Sequence, residues 1–144
     1  MKKVIFLLAS IFAFNFAAFA FDKPISANQL PQAAQSFISK HFAGKNIALA
    51  QVENGLLEKS YDVIFSSGEK VEFDLKGEWT DIDCHSSEVP AQIVPKQIAD
   101  YVSKNHKGVK IIKIERERNR YDIDLSNDWE ITFDGRFNVV DIDR

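Results

Sequence analysis

Two stretches of the chain carry the same succession of residues, and that duplication narrows the folds open to it. Leu30-Pro31 opens one stretch and Val94-Pro95 opens the other, sixty-four residues later. Phe37 and Tyr101, Ile38 and Val102, Ser39 and Ser103, Lys40 and Lys104, and Gly44 and Gly108 all keep that offset. Past a four-residue deletion the offset becomes sixty: Tyr61-Asp62 matches Tyr121-Asp122, and Phe73-Asp74 matches Phe133-Asp134. The change falls in the first hairpin loop, where extra length has a small entropic cost.

Each stretch reads as a helix followed by four strands. Leu30, Ala34, Phe37, Ile38 and Phe42 share one helical face, as do Val94, Ile98, Tyr101 and Val102. Pro31 and Pro95 suit a first helical turn, and Gly44 and Gly108 suit its end. Asn54-Gly55, Ser67-Gly68, Lys76-Gly77 and Asp134-Gly135 are turn signals, and the charged run Arg116–Asn119 replaces the longer Asn-Gly hairpin. Between the turns, Tyr61, Val63 and Phe65, then Tyr121, Ile123 and Leu125, alternate with other residues as half-buried strands do. Phe21 to Gln29 reads as an extended lead-in.

A unit of about 60 residues is marginal alone. Two units joined edge to edge remove two of four exposed sheet edges. The expected fold is therefore α+β: two tandem α-β4 repeats, about 25–84 and 89–143, forming an antiparallel sheet of about eight strands. Both helices are expected on one face, with the other face open. The domain is expected to span 21–144.

Residues 1–20 read as a leader. Lys2 and Lys3 precede the apolar run Val4–Ala20, and Ala18-Phe19-Ala20 is a small-x-small cleavage pattern, which places the cut after Ala20. The whole chain has 18 basic and 21 acidic residues; loss of Lys2 and Lys3 takes its formal charge from −3 to −5. That balance lacks the basic stripe of a nucleic-acid binder. The mature product is expected to be periplasmic or secreted, with no membrane attachment. Cys84 is the only cysteine, so no intrachain disulfide can form, and burial is its expected fate. A free thiol or a bond to another chain are the alternatives.

The candidate chemistry is sparse. Asp81-Ile82-Asp83, Asp122-Ile123-Asp124 and Asp141-Ile142-Asp143 each put two carboxylates on one strand face. Such pairs suit a hard cation or a crowded, raised carboxyl pKa. They equally suit a solvated face balanced by Lys70, Arg118, Arg120 and Arg136, and no calcium-loop spacing accompanies them. Cys84-His85 are sequence neighbours and poorly placed to act as nucleophile and base. His41 and His106 fall at helix ends, too few to complete a zinc site. Trp79, Trp129, Tyr61 and Tyr121 read as core. Ile64 has the opposite parity and is expected on the open face. No motif for hydrolysis or phosphate binding occurs.

The tandem words Tyr61-Asp62-Val63-Ile64-Phe65, Val71 to Trp79 and Glu130 to Phe137, with Asp83-Cys84 after the fourth strand, resemble the PepSY-like, β-lactamase-inhibitor-like exported proteins of Bacteroidetes type. The resemblance spans about residues 25–143. It implies repeated helix-plus-four-strand units, no enzyme activity, no cofactor and no assigned ligand. By analogy with PepSY domains, it points to restraint of a peptidase. The expected function is a non-enzymatic binding module for an envelope or secreted protein such as a peptidase. Asp62, Ile64, Glu72, Asp74, Asp122, Asp124, Glu130 and Thr132 form the expected partner surface. No catalytic or metal-ligating residue is assigned. A small-ligand or calcium-binding protein using the acidic pairs is the alternative.

Overall fold

The computed structural model of the protein describes residues 22–55 and 57–144. The expected leader and its cut after Ala20 lie outside the described residues. Nine strands form one antiparallel sheet in strict chain order. They are β1 (Lys23–Ile25), β2 (Ile47–Asn54), β3 (Lys59–Phe65), β4 (Lys70–Phe73), β5 (Trp79–Asp83), β6 (Ile111–Glu117), β7 (Arg120–Leu125), β8 (Glu130–Asp134) and β9 (Val139–Asp143). Helix α1 (Gln32–His41) precedes β2, and α2 (Lys96–Asn105) lies between β5 and β6. The expected count of about eight strands is corrected to nine. Lys23, Pro24 and Ile25, expected to be lead-in, pair with Val52, Gln51 and Ala50.

One apolar row crosses the whole sheet. Ile25, Ala50, Val63, Val71, Ile82, Ile114, Ile123, Ile131 and Ile142 are successive cross-strand partners. The six from Val63 to Ile131 are fully buried. Each such side chain contributes about 1.5–3 kcal/mol on leaving water. Residues two along the strands extend the same face, and both helices pack there. Phe37 of α1 meets Phe73 edge-on, with ring centroids 5.7 Å apart. Tyr101 of α2 meets Phe133 edge-on at 5.4 Å. Phe42 stacks on Phe65 at 5.0 Å. Trp79 is buried, and Tyr61, Tyr121 and Trp129 are partly buried against this core, as expected. Cys84 is buried and free. Burial pushes its thiol pKa up to about 11, with Glu69 and Asp83 adding to the rise.

Pro31 and Pro95 stand at the N-caps of the helices. Each half also carries two bulges. The register steps over Ala48 and Ile112 in the first strand after each helix, and over Thr80 and Val140 in the fourth. Bulges of this kind increase the local twist, and here they fall at matching positions in the two halves.

The halves join where β5 pairs with β6: Asp81 with Glu115, Ile82 with Ile114 and Asp83 with Lys113. Arg116 ties this seam. Its guanidinium lies 4.3 Å from the centroid of the Trp79 ring and donates to the Trp79 carbonyl at 2.8 Å.

The β4–β5 turn abuts the start of α1. Gly77 has φ +82°, and a Cβ there would stand 2.8 Å from both the Ala34 nitrogen and the Pro31 Cβ. Gly44 has a similar φ of +78° with open space around it. Gly44→Ala should therefore cost about 1 kcal/mol from backbone strain alone. Gly77→Ala adds a steric clash and should cost roughly 1–3 kcal/mol more. Urea denaturation of the two variants measures the difference; equal losses would show that the turn does not press on the helix.

Candidate functional site

The face opposite the helices is lined by two parallel rows of side chains. The first runs Gln51, Asp62, Glu72, Asp81, Glu115, Asp122, Thr132 and Asp141. The second runs Leu49, Ile64, Lys70, Asp83, Lys113, Asp124, Glu130 and Asp143 along the same series of strands. This is the counterpart of the apolar row: the alternation that buries the residues from Val63 to Ile131 turns their neighbours to this side. Strands lie about 4.8 Å apart. Like charges at that spacing repel by about 1 kcal/mol in water and by several where water is excluded.

Two lysines offset part of that repulsion. Lys70 Nζ lies 2.6 Å from Glu72 Oε1 and 3.2 Å from Asp62 Oδ2. Lys113 Nζ lies 3.5 Å from Asp81 Oδ2. Burial works against both ammonium groups, but their carboxylate neighbours outweigh it and hold both pKa values above the usual lysine range. Asp81 remains under-compensated. Burial, opposed by Lys113 but reinforced by Glu72 and Glu115, pushes its carboxyl pKa up to about 6. Its Oδ1 is buried without a hydrogen-bond partner, as is Oδ1 of Asp62.

The β7–β9 end of the face holds a concavity of about 120 Å³. Arg120, Asp122, Asp124, Glu130, Thr132, Asp141 and Asp143 line it. Arg120 grips Asp122 with two nitrogens, Nε to Oδ2 at 2.9 Å and a terminal nitrogen to Oδ1 at 2.9 Å. The Thr132 hydroxyl donates to Asp122 Oδ1 at 2.6 Å. Burial raises the Asp122 pKa, but these bonds more than reverse it and the carboxyl sits below the usual range. Asp124 goes the other way: burial, then Asp83 and Asp122, outweigh Lys113 and raise it.

Seven of the eight expected surface residues thus lie in the two rows, and Asp122, Asp124, Glu130 and Thr132 meet in one concavity. Three differ in what they can offer. Asp62 is only 3% exposed and Thr132 only 8%, because long neighbours such as Gln51, Lys70 and Arg120 fold over them. They support the surface rather than present it. Asp74 is taken up by its own turn, where Oδ1 accepts the amides of Lys76 and Glu78 at 2.9 and 3.0 Å. Asp81, Lys113, Glu115, Asp141 and Asp143 were missing from the expected surface. The parity rule already applied to Asp122 and Asp124 places all five there. Among the described residues, no three acidic, histidine or cysteine side chains converge on a metal position.

The family model for "Putative beta-lactamase-inhibitor-like, PepSY-like" proteins matches residues 59–141. The chain belongs to this family. A "putative periplasmic protein" of the DUF2874 family from Bacteroides vulgatus is 52% identical, with a TM-score of 0.83 over 85% of this chain and 97% of that one. A "putative calcium-regulated periplasmic protein" from Bacteroides thetaiotaomicron is 49% identical, with a TM-score of 0.84 over 85% of this chain and 97% of that one. A second Bacteroides vulgatus protein, described as periplasmic and of unknown function, is 36% identical, with a TM-score of 0.82 over 86% of this chain and 100% of that one. No curated protein matches the chain.

The raised Asp81 pKa has a definite sign in stability. The folded state holds this proton up to about pH 6, whereas the unfolded chain releases it near pH 4. The burden of the charged form is therefore absent below about pH 4, grows through the interval and is complete above pH 6. Asp81→Asn should stabilise the protein at pH 8 by on the order of 2 kcal/mol. The gain should fade as the pH is lowered to about 4. Thermal melts of both proteins across that range provide the measurement.

Proposed function

We propose that the chain is an exported, non-enzymatic binding module. Its acidic open face would take a basic surface on an envelope or secreted protein such as a peptidase. The observation that carries this reading is the double row of carboxylates across a sheet face that no described element covers, for which Lys70, Lys113 and Arg120 are too few partners. Family membership agrees with a binding role, and all three relatives are described as periplasmic. The leader at 1–20, with its cut after Ala20, would deliver the chain to that compartment. The two halves would be tandem repeats of one α-β4 unit, a reading supported by the matching bulges and by the paired contacts of Phe37 with Phe73 and Tyr101 with Phe133.

An enzymatic role lacks its parts among the described residues. Cys84 is buried with its thiol pKa raised, and the one hydroxyl in the acidic rows, that of Thr132, faces only Asp122, whose lowered pKa makes it a weak base.

Calcium is the competing occupant, because one relative is described as calcium-regulated. As the side chains stand, the donors do not fit: Lys70 and Lys113 sit among the carboxylates of the rows, Arg120 holds Asp122 in the concavity, and among the described residues no three acids are placed to share one metal ion. Thermal melts with millimolar calcium should leave the melting temperature unchanged; a rise would replace the basic partner with the cation. The partner reading predicts that Asp124→Lys with Glu130→Lys abolishes capture of envelope proteins by the immobilised mature chain, while the fold persists by circular dichroism. An identical set of captured proteins would overturn the assignment of this face.

A further inference from the structure

The two edges of the sheet are not alike. At one edge β1 is three residues long and carries Pro24, which has no amide to donate. At the other, β9 is five residues long, and no described strand pairs with its outer side. Such an edge presents free backbone groups to any extended chain.

Three further observations say what would fit there. The apolar row does not end in the core: Ile142, its last member, is 43% exposed, and Val140 is 59% exposed. On the open face, Asp141 and Asp143 bring negative charge to the same edge, beside the acidic concavity they share with Asp124 and Glu130. Finally, the Ile142 amide donates to Asp141 Oδ1 at 3.1 Å, and the Arg144 amide donates to Asp143 Oδ1 at 2.8 Å. Two edge amides are thus held by side chains rather than by a neighbouring strand.

We propose that β9 is a strand-addition site for an extended peptide segment in which apolar residues alternate with Lys or Arg. The incoming carbonyls would accept from the Ile142 and Arg144 amides, releasing the Asp141 and Asp143 carboxylates. The basic side chains would meet those carboxylates and reach the concavity. The apolar side chains would continue the row beyond Ile142. A second copy of this chain is a poorer occupant, since antiparallel self-pairing would bring Asp141 and Asp143 against their own duplicates across the sheet, an unfavourable pairing of like charges. The proposal rests on the open face being a binding surface and adds to it the mode of binding and the sequence pattern of the segment bound.

The test uses synthetic seven-residue peptides alternating Lys with Val, or Glu with Val, titrated into the mature chain with fluorescence anisotropy as readout. The basic peptide should bind and the acidic one should not. Ile142→Pro removes an edge amide that the β8–β9 ladder does not use, so the fold should survive; it should weaken the basic peptide by about tenfold or more. Asp124→Lys should weaken it as well. Loss of binding in Asp124→Lys with none in Ile142→Pro would overturn strand addition and leave the face itself as the site. No binding of the basic peptide at millimolar concentration would also overturn it, without touching the capture of whole proteins. A concentration-dependent dimer of the wild type that Ile142→Pro abolishes would replace the peptide with a second copy of the chain.

Discussion

The pairing of β5 with β6 is the constraint on which the rest of the molecule depends. It makes one sheet out of two halves that are each small for independent folding. Ile82 facing Ile114 carries the apolar row from one half to the other, so a single core is buried beneath both helices. The same pairing sets Asp81 against Glu115 and Asp83 against Lys113. Continuity of the core on one side therefore forces continuity of the charged rows on the other. Arg116 is placed to hold this junction, with its guanidinium over Trp79 and a bond to the Trp79 carbonyl.

A sheet face so rich in carboxylates has a cost in stability, and its balance is local. Lys70 serves Asp62 and Glu72, Lys113 serves Asp81, and Arg120 serves Asp122. Asp122 is held charged by its partners, whereas Asp81 and Asp124 are driven toward protonation. Charge on this surface is thus graded from fully offset to weakly offset. A cationic partner gains most where the protein has offset least, since it supplies what the fold withholds. The buried Glu69 off this face shows the opposite arrangement. Lys45 at 2.6 Å and the Ser67 hydroxyl satisfy it fully and fix the turn between β3 and β4.

Much of the architecture was legible because the strand pattern has a period of two and is repeated. Tyr61, Val63 and Phe65 announced their face, and Asp122 and Asp124 announced the other. What was not legible depended on neighbours across the sheet. Lys23, Pro24 and Ile25 have no pattern of their own; they become a strand because β2 offers an unpaired edge. Asp62 looks exposed from its parity but is covered by Gln51 and Lys70, which come from other strands. Asp74 looks like a surface carboxylate, but the turn that follows has free amides within reach. Asp141 and Asp143 could have been assigned to the acidic face from sequence. Their position at an open edge could not, because sequence gives parity and only pairing gives order.

Strand order that follows the chain without a single crossover has one more consequence. Most compact domains bring their two ends close together. Here β1 and β9 are separated by eight strand spacings, so the ends lie up to roughly 38 Å apart. The sheet therefore holds its two edges apart: anything joined ahead of Lys23 stays a full sheet width from Asp143. An affinity tag fused after Arg144 would lie against the last strand, while one placed before Lys23 would leave that strand clear.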